Sequence, residues 1–320
     1  MEDAMRRFGW WEVVVGLGAA WCWIGSAWAA QEGPTNQSDK AIHEPIFRVA
    51  RLPADESPQP TPRVDVAEAG PSSSTMPVEP AVVRHPLDPA IDLAKSRLDA
   101  IRKEIADYQA IMVKRERIDG KLSEPQFAKI KVRNRKQGEA GSVPFSIYMR
   151  FLKPKAIRGR EVIYVEGQNN GKLAAHDNGL IKLTVYLDPT GSLAMQSSRY
   201  PIYEAGIENL VVKLIEKAER DKAAGMCEVE FVETAKINDR PCTKIKVTHP
   251  ERQHPYDFNV AEVFIDNELQ VPIRYAAYSW PRVNGADPEL MEEYTYLDLA
   301  VNRGFTDADF STSNPEYEFK

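Results

Sequence analysis

Cysteine is scarce: Cys22, Cys227 and Cys242 are the only three in 320 residues, and no two are spaced C-x-x-C. That removes zinc-ribbon and thioredoxin-type readings. G-x-S-x-G, H-E-x-x-H and the G-x-x-x-x-G-K phosphate loop are also missing, so no motif announces a serine hydrolase, a zinc protease or a nucleotide-triphosphate enzyme. A positive balance is lacking too. The formal charge of −6 argues against a dedicated nucleic-acid binder.

Proline, by contrast, is abundant and unevenly placed. Residues 30–86 hold 10 of the 23 prolines among Ser, Thr, Glu and Ala. Such a stretch buries too little apolar surface to offset its ordering entropy, and it reads as a disordered tether. Before it, Arg6-Arg7, an apolar run over 13–24 and Ala27-Trp28-Ala29 read as an export signal over 1–29, with an uncleaved membrane anchor as the alternative. Export places the chain in the periplasm or beyond.

The remaining residues, 87–320, are the folded domain. Ile91, Ala94, Leu98, Ile101, Ile105 and Tyr108 recur at spacings of three and four after Asp88-Pro89, which predicts an amphipathic helix of about five turns. A second such helix is expected over 207–222. Strands are expected over 108–117, 126–133 and 145–151, then 161–166, 172–176 and 180–187. Further strands are read over 227–236, 242–249, 258–265, 271–280 and 290–299. The result is an α+β domain with about ten antiparallel strands, and a sheet of that size must curl strongly or nearly close.

The stretch 143–180 carries the clearest alternation. Phe145, Ile147, Met149 and Phe151 take one face, and Ser146, Tyr148 and Arg150 the other. Ile181, Leu183 and Val185 repeat the pattern later. Charge is uneven as well: residues 114–160 contain 14 Lys and Arg against 4 Asp and Glu. Lys153, Lys155, Arg158 and Arg160 thus lie in a cationic loop beside an apolar strand face. A greasy pocket rimmed by cations suits an acyl chain with an anionic head. The alternative is a solvated basic face.

Other chemistry is thinner. His176 and Asp177 are adjacent in a strand and point apart, so His176 reads as a hydrogen-bonded hairpin residue, with general acid/base work as the alternative. His249, His254 and Asp257 sit in a proline-containing loop and are not assigned a metal. Glu292 and Glu293 diverge across the sheet, and pairing with Arg199 or Arg274 is expected. If Asn238-Asp239 is a hairpin turn, Cys242 lies opposite residue 235. Cys227 is then roughly 26 Å away at about 3.3 Å per residue, which favours two buried thiols over a disulfide.

Longer strings carry a resemblance. FLKPKAIRGREVIYVEGQNNGKLAAHDNG, VPIRYAAYSWP and EEYTYLDLAVNRGFTDADF resemble the planctomycete domain-of-unknown-function 1571 family over about residues 90–320. More distantly, Phe151-Leu152-Lys153-Pro154 and Asn170-Gly171-Lys172 are similar to elements of LolA/LolB-type periplasmic lipoprotein carriers. That second resemblance implies an open half-barrel whose helices cap an apolar cavity that shields acyl chains.

Taken with the residues, it gives an expected function: a monomeric, exported, non-enzymatic carrier for a lipid or lipid-modified ligand. Phe145, Ile147, Met149, Phe151, Ile181, Leu183 and Val185 form the wall, and Lys153, Lys155, Arg158 and Arg160 the rim. No catalytic residue, metal or cofactor is assigned, and membrane contact is peripheral or transient. The alternatives are a cell-envelope scaffold with a filled core, partnered by an envelope protein, and an envelope hydrolase using His176.

Overall fold

In the computed structural model the described residues are 44–49 and 84–320, except 139–140, 180–181 and 284. All of them belong to one unit, His43–Lys320. The expected signal and most of the expected tether lie outside them.

The elements run β1 (Phe47–Val49), α1 (Asp88–Glu104), β2 (Asp107–Ile118), β3 (Lys121–Leu122), β4 (Gln126–Arg133), β5 (Lys136–Gly138), β6 (Gly141–Val143) and β7 (Ser146–Lys153). They continue with β8 (Glu161–Val165), β9 (Leu173–His176), β10 (Val185–Leu187), α2 (Ser192–Met195) and α3 (Ile207–Ala224). Last come β11 (Glu228–Ile237), β12 (Arg240–Thr248), β13 (Val260–Asp266), β14 (Pro272–Ser279) and β15 (Glu289–Val301). Apart from the small β5–β6 hairpin they form one antiparallel sheet of 13 strands, in the order β1-β11-β12-β13-β14-β15-β2-β4-β7-β8-β9-β10, with β3 on β2.

The class is therefore α+β as expected, with more strands than the ten counted. Among the described residues the end strands β1 and β10 do not pair with each other. The extra strands have local causes. Phe47–Val49 falls within the expected tether, yet it pairs with β11 through Phe47↔Ile237 and Val49↔Ala235. The strand expected over 180–187 shrinks to Val185–Leu187. Residues 182–184 turn instead to the chain's end, where Thr184 N donates to Lys320 O at 3.3 Å.

The first helix is shorter than its apolar stripe. It stops at Glu104 because Ile105 is extended, and Tyr108 belongs to β2. The Tyr108 hydroxyl accepts the Ile207 N–H at 2.8 Å, tying β2 to the start of α3. Both long helices pack on the same core. Leu98 and Ile101 of α1, Ile105 just after it, and Ile207 and Val211 of α3 meet Ala110 and Met112 of β2, Ile130 and Val132 of β4, and Ile147 and Met149 of β7. Arg102 and Glu208 join the helices at 3.0 Å. The other face of β7 and β8 is covered by the chain's last segment, where Phe310 and Tyr317 pack on Tyr148, Ile163 and Val165. No described helix is long and apolar enough to cross a membrane.

Candidate ligand-binding site

Strand β7 alternates as its sequence requires. Phe145, just ahead of it, and Ile147, Met149 and Phe151 share the main core, each at least nine-tenths buried. They are brought together, but against α1 and α3, so on this face the space is filled by side chains. Leu183 and Val185 are 65% and 40% exposed and stand apart from that group. Ile181 lies outside the described residues.

The cationic loop forms one corner of the sheet. Phe151 N donates to Arg160 O and Gly159 N to Phe151 O, closing residues 152–159 on the end of β7. Gly159 has φ +82°, and a Cβ there would stand 3.0 Å from the Asn178 side chain. Arg160 is bonded to Asp177, with Nε–Oδ1 at 2.5 Å, so the loop lies against residues 177–178. Lys155 and Arg158 are exposed, and the Arg158 Nε donates to Leu152 O at 3.2 Å. Lys153 lies 5.3 Å from the centre of the Phe127 ring. Ile157 turns inward onto the main core. Val185 pairs with Ala175, which pairs with Val162. Val185 is thus in register, two strands out, with the first residues of β8, which follow this loop.

A second constellation was not legible in the sequence. The face of β2 that presents Tyr108, Ala110 and Met112 continues to Lys114 and Glu116, both buried. Lys114 Nζ is 3.1 Å from Glu116 Oε2 and donates to Ser198 Oγ at 3.0 Å. Glu116 also accepts the Tyr294 hydroxyl at 2.5 Å and Arg199 N at 3.3 Å. Arg199 reaches Glu292 at 2.7 Å, and the Tyr200 hydroxyl donates to the same carboxylate at 3.0 Å. These bonds strap residues 197–200, which follow α2, onto the sheet. Burial pushes the Tyr275, Tyr294 and Tyr200 hydroxyls upward, helped by the nearby carboxylates. The expected pairing of these glutamates with Arg199 or Arg274 is present, Glu292 with Arg199 and Glu293 with Arg274, the latter at 2.9 Å.

His176 is hydrogen-bonded as read from the sequence. Its Nε2 is 2.8 Å from Glu161 Oε2, both side chains are 0% exposed, and the ring meets Phe319 edge-on. Sealed in this way it has no open face for a substrate. His249 is buried against Tyr256 at 4.0 Å, and no three His, Cys, Asp or Glu of the described residues converge as a metal set. Cys227 and Cys242 are free and buried, and Cys242 pairs with Ala235 across the ladder. A cleft of about 450 Å³ opens on the other side of β8, between Arg133, Gln168, Asn169 and the segment 307–315. Its lining is mixed, with Ile163, Val165 and Phe310 beside amide and hydroxyl side chains, and it includes none of the residues expected to line an acyl pocket.

A family model described as protein of unknown function (DUF1571) matches residues 105–319. No curated protein matches the chain. Among solved structures, the Mycobacterium tuberculosis lipoprotein LppX is similar over 67% of this chain and 98% of its own, at 16% identity and TM-score 0.35. A putative outer membrane lipoprotein-sorting protein domain from Vibrio parahaemolyticus is similar over 69% and 95%, at 12% identity and TM-score 0.34. A LolA superfamily protein from Nitrosomonas europaea is similar over 68% and 97%, at 11% identity and TM-score 0.28. The DUF1571 resemblance read from the sequence is the family that matches here. At these scores the three structures carry no argument about function.

Proposed function

The chain belongs to the DUF1571 family of proteins of unknown function, and on that premise we propose that it is an exported, non-enzymatic binding protein for a lipid or lipid-modified ligand. One observation carries the reading. Leu183 and Val185 are 65% and 40% exposed, and Val185 is in register with the start of β8, which follows the loop that carries the exposed cations Lys155 and Arg158. An acyl chain entering at this corner keeps its anionic head among the cations.

Phe151, Met149, Ile147 and Phe145 form the wall along which the chain advances. Lys153 and Arg160 complete the rim. Each buried methylene contributes about 0.8 kcal/mol. Because α1 and α3 fill this face, loading and release require the capping helix to move, and the sheet acts as an open half-barrel while it does. The protein works as a monomer, touches the membrane transiently and exchanges ligand with an envelope partner. The export pattern of residues 1–29 supports that location.

The filled core favours one second reading, an envelope scaffold. Native mass spectrometry of the protein purified from an expressing cell, followed by lipid extraction, separates the two. A co-purified acyl-bearing mass that is lost in Lys155→Glu/Arg158→Glu supports the binding protein. An empty wild-type protein that also takes up no fluorescent fatty acid overturns it in favour of the scaffold.

A further inference from the structure

The edge of β11 holds a segment that its sequence neighbourhood gave no reason to expect there. Residues 30–86 contain a single Phe, Tyr or Trp, and it is Phe47. Ile46, Phe47 and Val49 are also β-branched or aromatic residues, set around Arg48 in an otherwise Pro- and Ser-rich stretch. This run, and no other described part of residues 30–83, lies on the sheet.

Three features hold it. The ladder pairs Phe47, Arg48 and Val49 with Ile237, Lys236 and Ala235. Asn238 then grips the backbone of Ile46 from both sides: Asn238 N donates to Ile46 O at 2.8 Å, and Ile46 N donates to Asn238 Oδ1 at 2.9 Å. Finally, the Phe47 ring lies 6.3 Å from the Phe264 ring, and the Arg274 guanidinium carbon is 4.0 Å from its centre. Arg274 is not a loose surface side chain. It is 3% exposed, and its terminal nitrogens are fixed by Glu293 at 2.9 Å and Glu262 at 3.6 Å. A guanidinium held over a ring by two carboxylates is a pre-organised aromatic seat, and cation–π attraction is strongest where the cation is desolvated.

The geometry points to a strand-accepting site on the β11 edge for an extended peptide of apolar–aromatic–basic sequence, occupied in cis by the chain's own residues 46–49. Main-chain ladder bonds supply affinity, the Phe264–Arg274 seat supplies selectivity for an aromatic at one position, and Asn238 sets the register. Simple coverage of an edge strand against aggregation needs only the ladder. The aromatic seat and the Asn238 clamp go further, because both read a particular register. The ligand of this site is a peptide strand, whereas that of the corner at Lys155 is an amphiphile, so the two readings stand or fall separately.

The test uses the full chain carrying Phe47→Glu, which empties the seat, and a fluorescein-labelled peptide of residues 43–51. Circular dichroism and a thermal melt establish that the variant is folded. A chain with residues 46–49 replaced by Gly-Ser-Gly-Ser serves as the second open form. Anisotropy titration is expected to show saturable binding to both open forms, about tenfold or more tighter than to wild type, whose own segment competes at high effective concentration. The same peptide with Phe47→Ala is expected to lose about tenfold, or about 1.4 kcal/mol, on the open forms. Absence of saturable binding to the open forms overturns the proposal. So does equal affinity for wild type and open forms, or for the Phe and Ala peptides.

Discussion

Glu116 and Glu292 stand directly opposite each other on β2 and β15, only 3% and 2% exposed, and each is matched by its own cation. Two like charges at such a cross-strand position destabilise a ladder unless compensated. Lys114 and Arg199 supply the compensation, and with it they hold residues 197–200 on the sheet.

Glu116→Ala leaves the Lys114 ammonium buried without its carboxylate. The expected cost is about 3–5 kcal/mol, read as a lower urea midpoint at unchanged slope. Replacing both partners, as Lys114→Met/Glu116→Leu, is expected to cost less than the single change. A double variant worse than Glu116→Ala refutes this account of the pair.

Gly206 precedes α3 with φ +104°, and a Cβ there would stand 3.0 Å from the Tyr108 hydroxyl, which accepts the Ile207 N–H. Gly206→Ala is expected to lower stability by about 1–3 kcal/mol from backbone strain alone. Tyr108→Phe removes the hydroxyl that a new Cβ would crowd, so part of the loss should return in the double variant. A neutral Gly206→Ala would show that this junction can relax.

Burial holds the His249 imidazole below its usual range, against the pull of Asp221 at 3.6 Å and with Arg220 opposing protonation. The unfolded chain therefore binds this proton more readily than the folded one. The stability from a neutral ring is fully present above about pH 6.5 and is lost as pH falls through the lowered folded value. Urea midpoints measured from about pH 7.5 down to 5.5 should fall for wild type and fall less steeply for His249→Phe. Identical slopes would assign the pH dependence elsewhere.

Burial also pushes the Cys227 and Cys242 thiols up to about 11. Both should resist a thiol reagent at neutral pH in the native protein and react promptly in denaturant. Fast labelling of either one without denaturant would mean that its neighbourhood opens on its own.

Legibility followed distance along the chain. Period-two alternation placed Phe145, Ile147, Met149 and Phe151 on the buried face because burial on one side is written into each strand locally. Turn chemistry at Asn238-Asp239 placed Cys242 opposite Ala235, as found. Tyr148 was read only as the opposite face. Its cover, Tyr317, stacks at 3.9 Å from far down the chain, and no local pattern announces such a partner. Glu116 and Glu292 were likewise invisible as a pair, since they meet only after β15 takes its place beside β2. The arm's Phe47 was lost in a compositional average: proline content was read over the whole stretch and hid the few residues that join the sheet.

The position of β15 has a consequence for how the chain comes to be. Strands β2, β4, β7, β8, β9 and β10 lie on one side of it and β11 to β14 on the other, and only β15 joins the halves. Until residues 289–301 are available, the chain holds two partial sheets, with β2 and β14 presenting unsatisfied edges. Contacts of such long sequence separation slow folding. Closing the sheet therefore waits on one strand, and the two edges it joins are the ones open to wrong pairing until it docks.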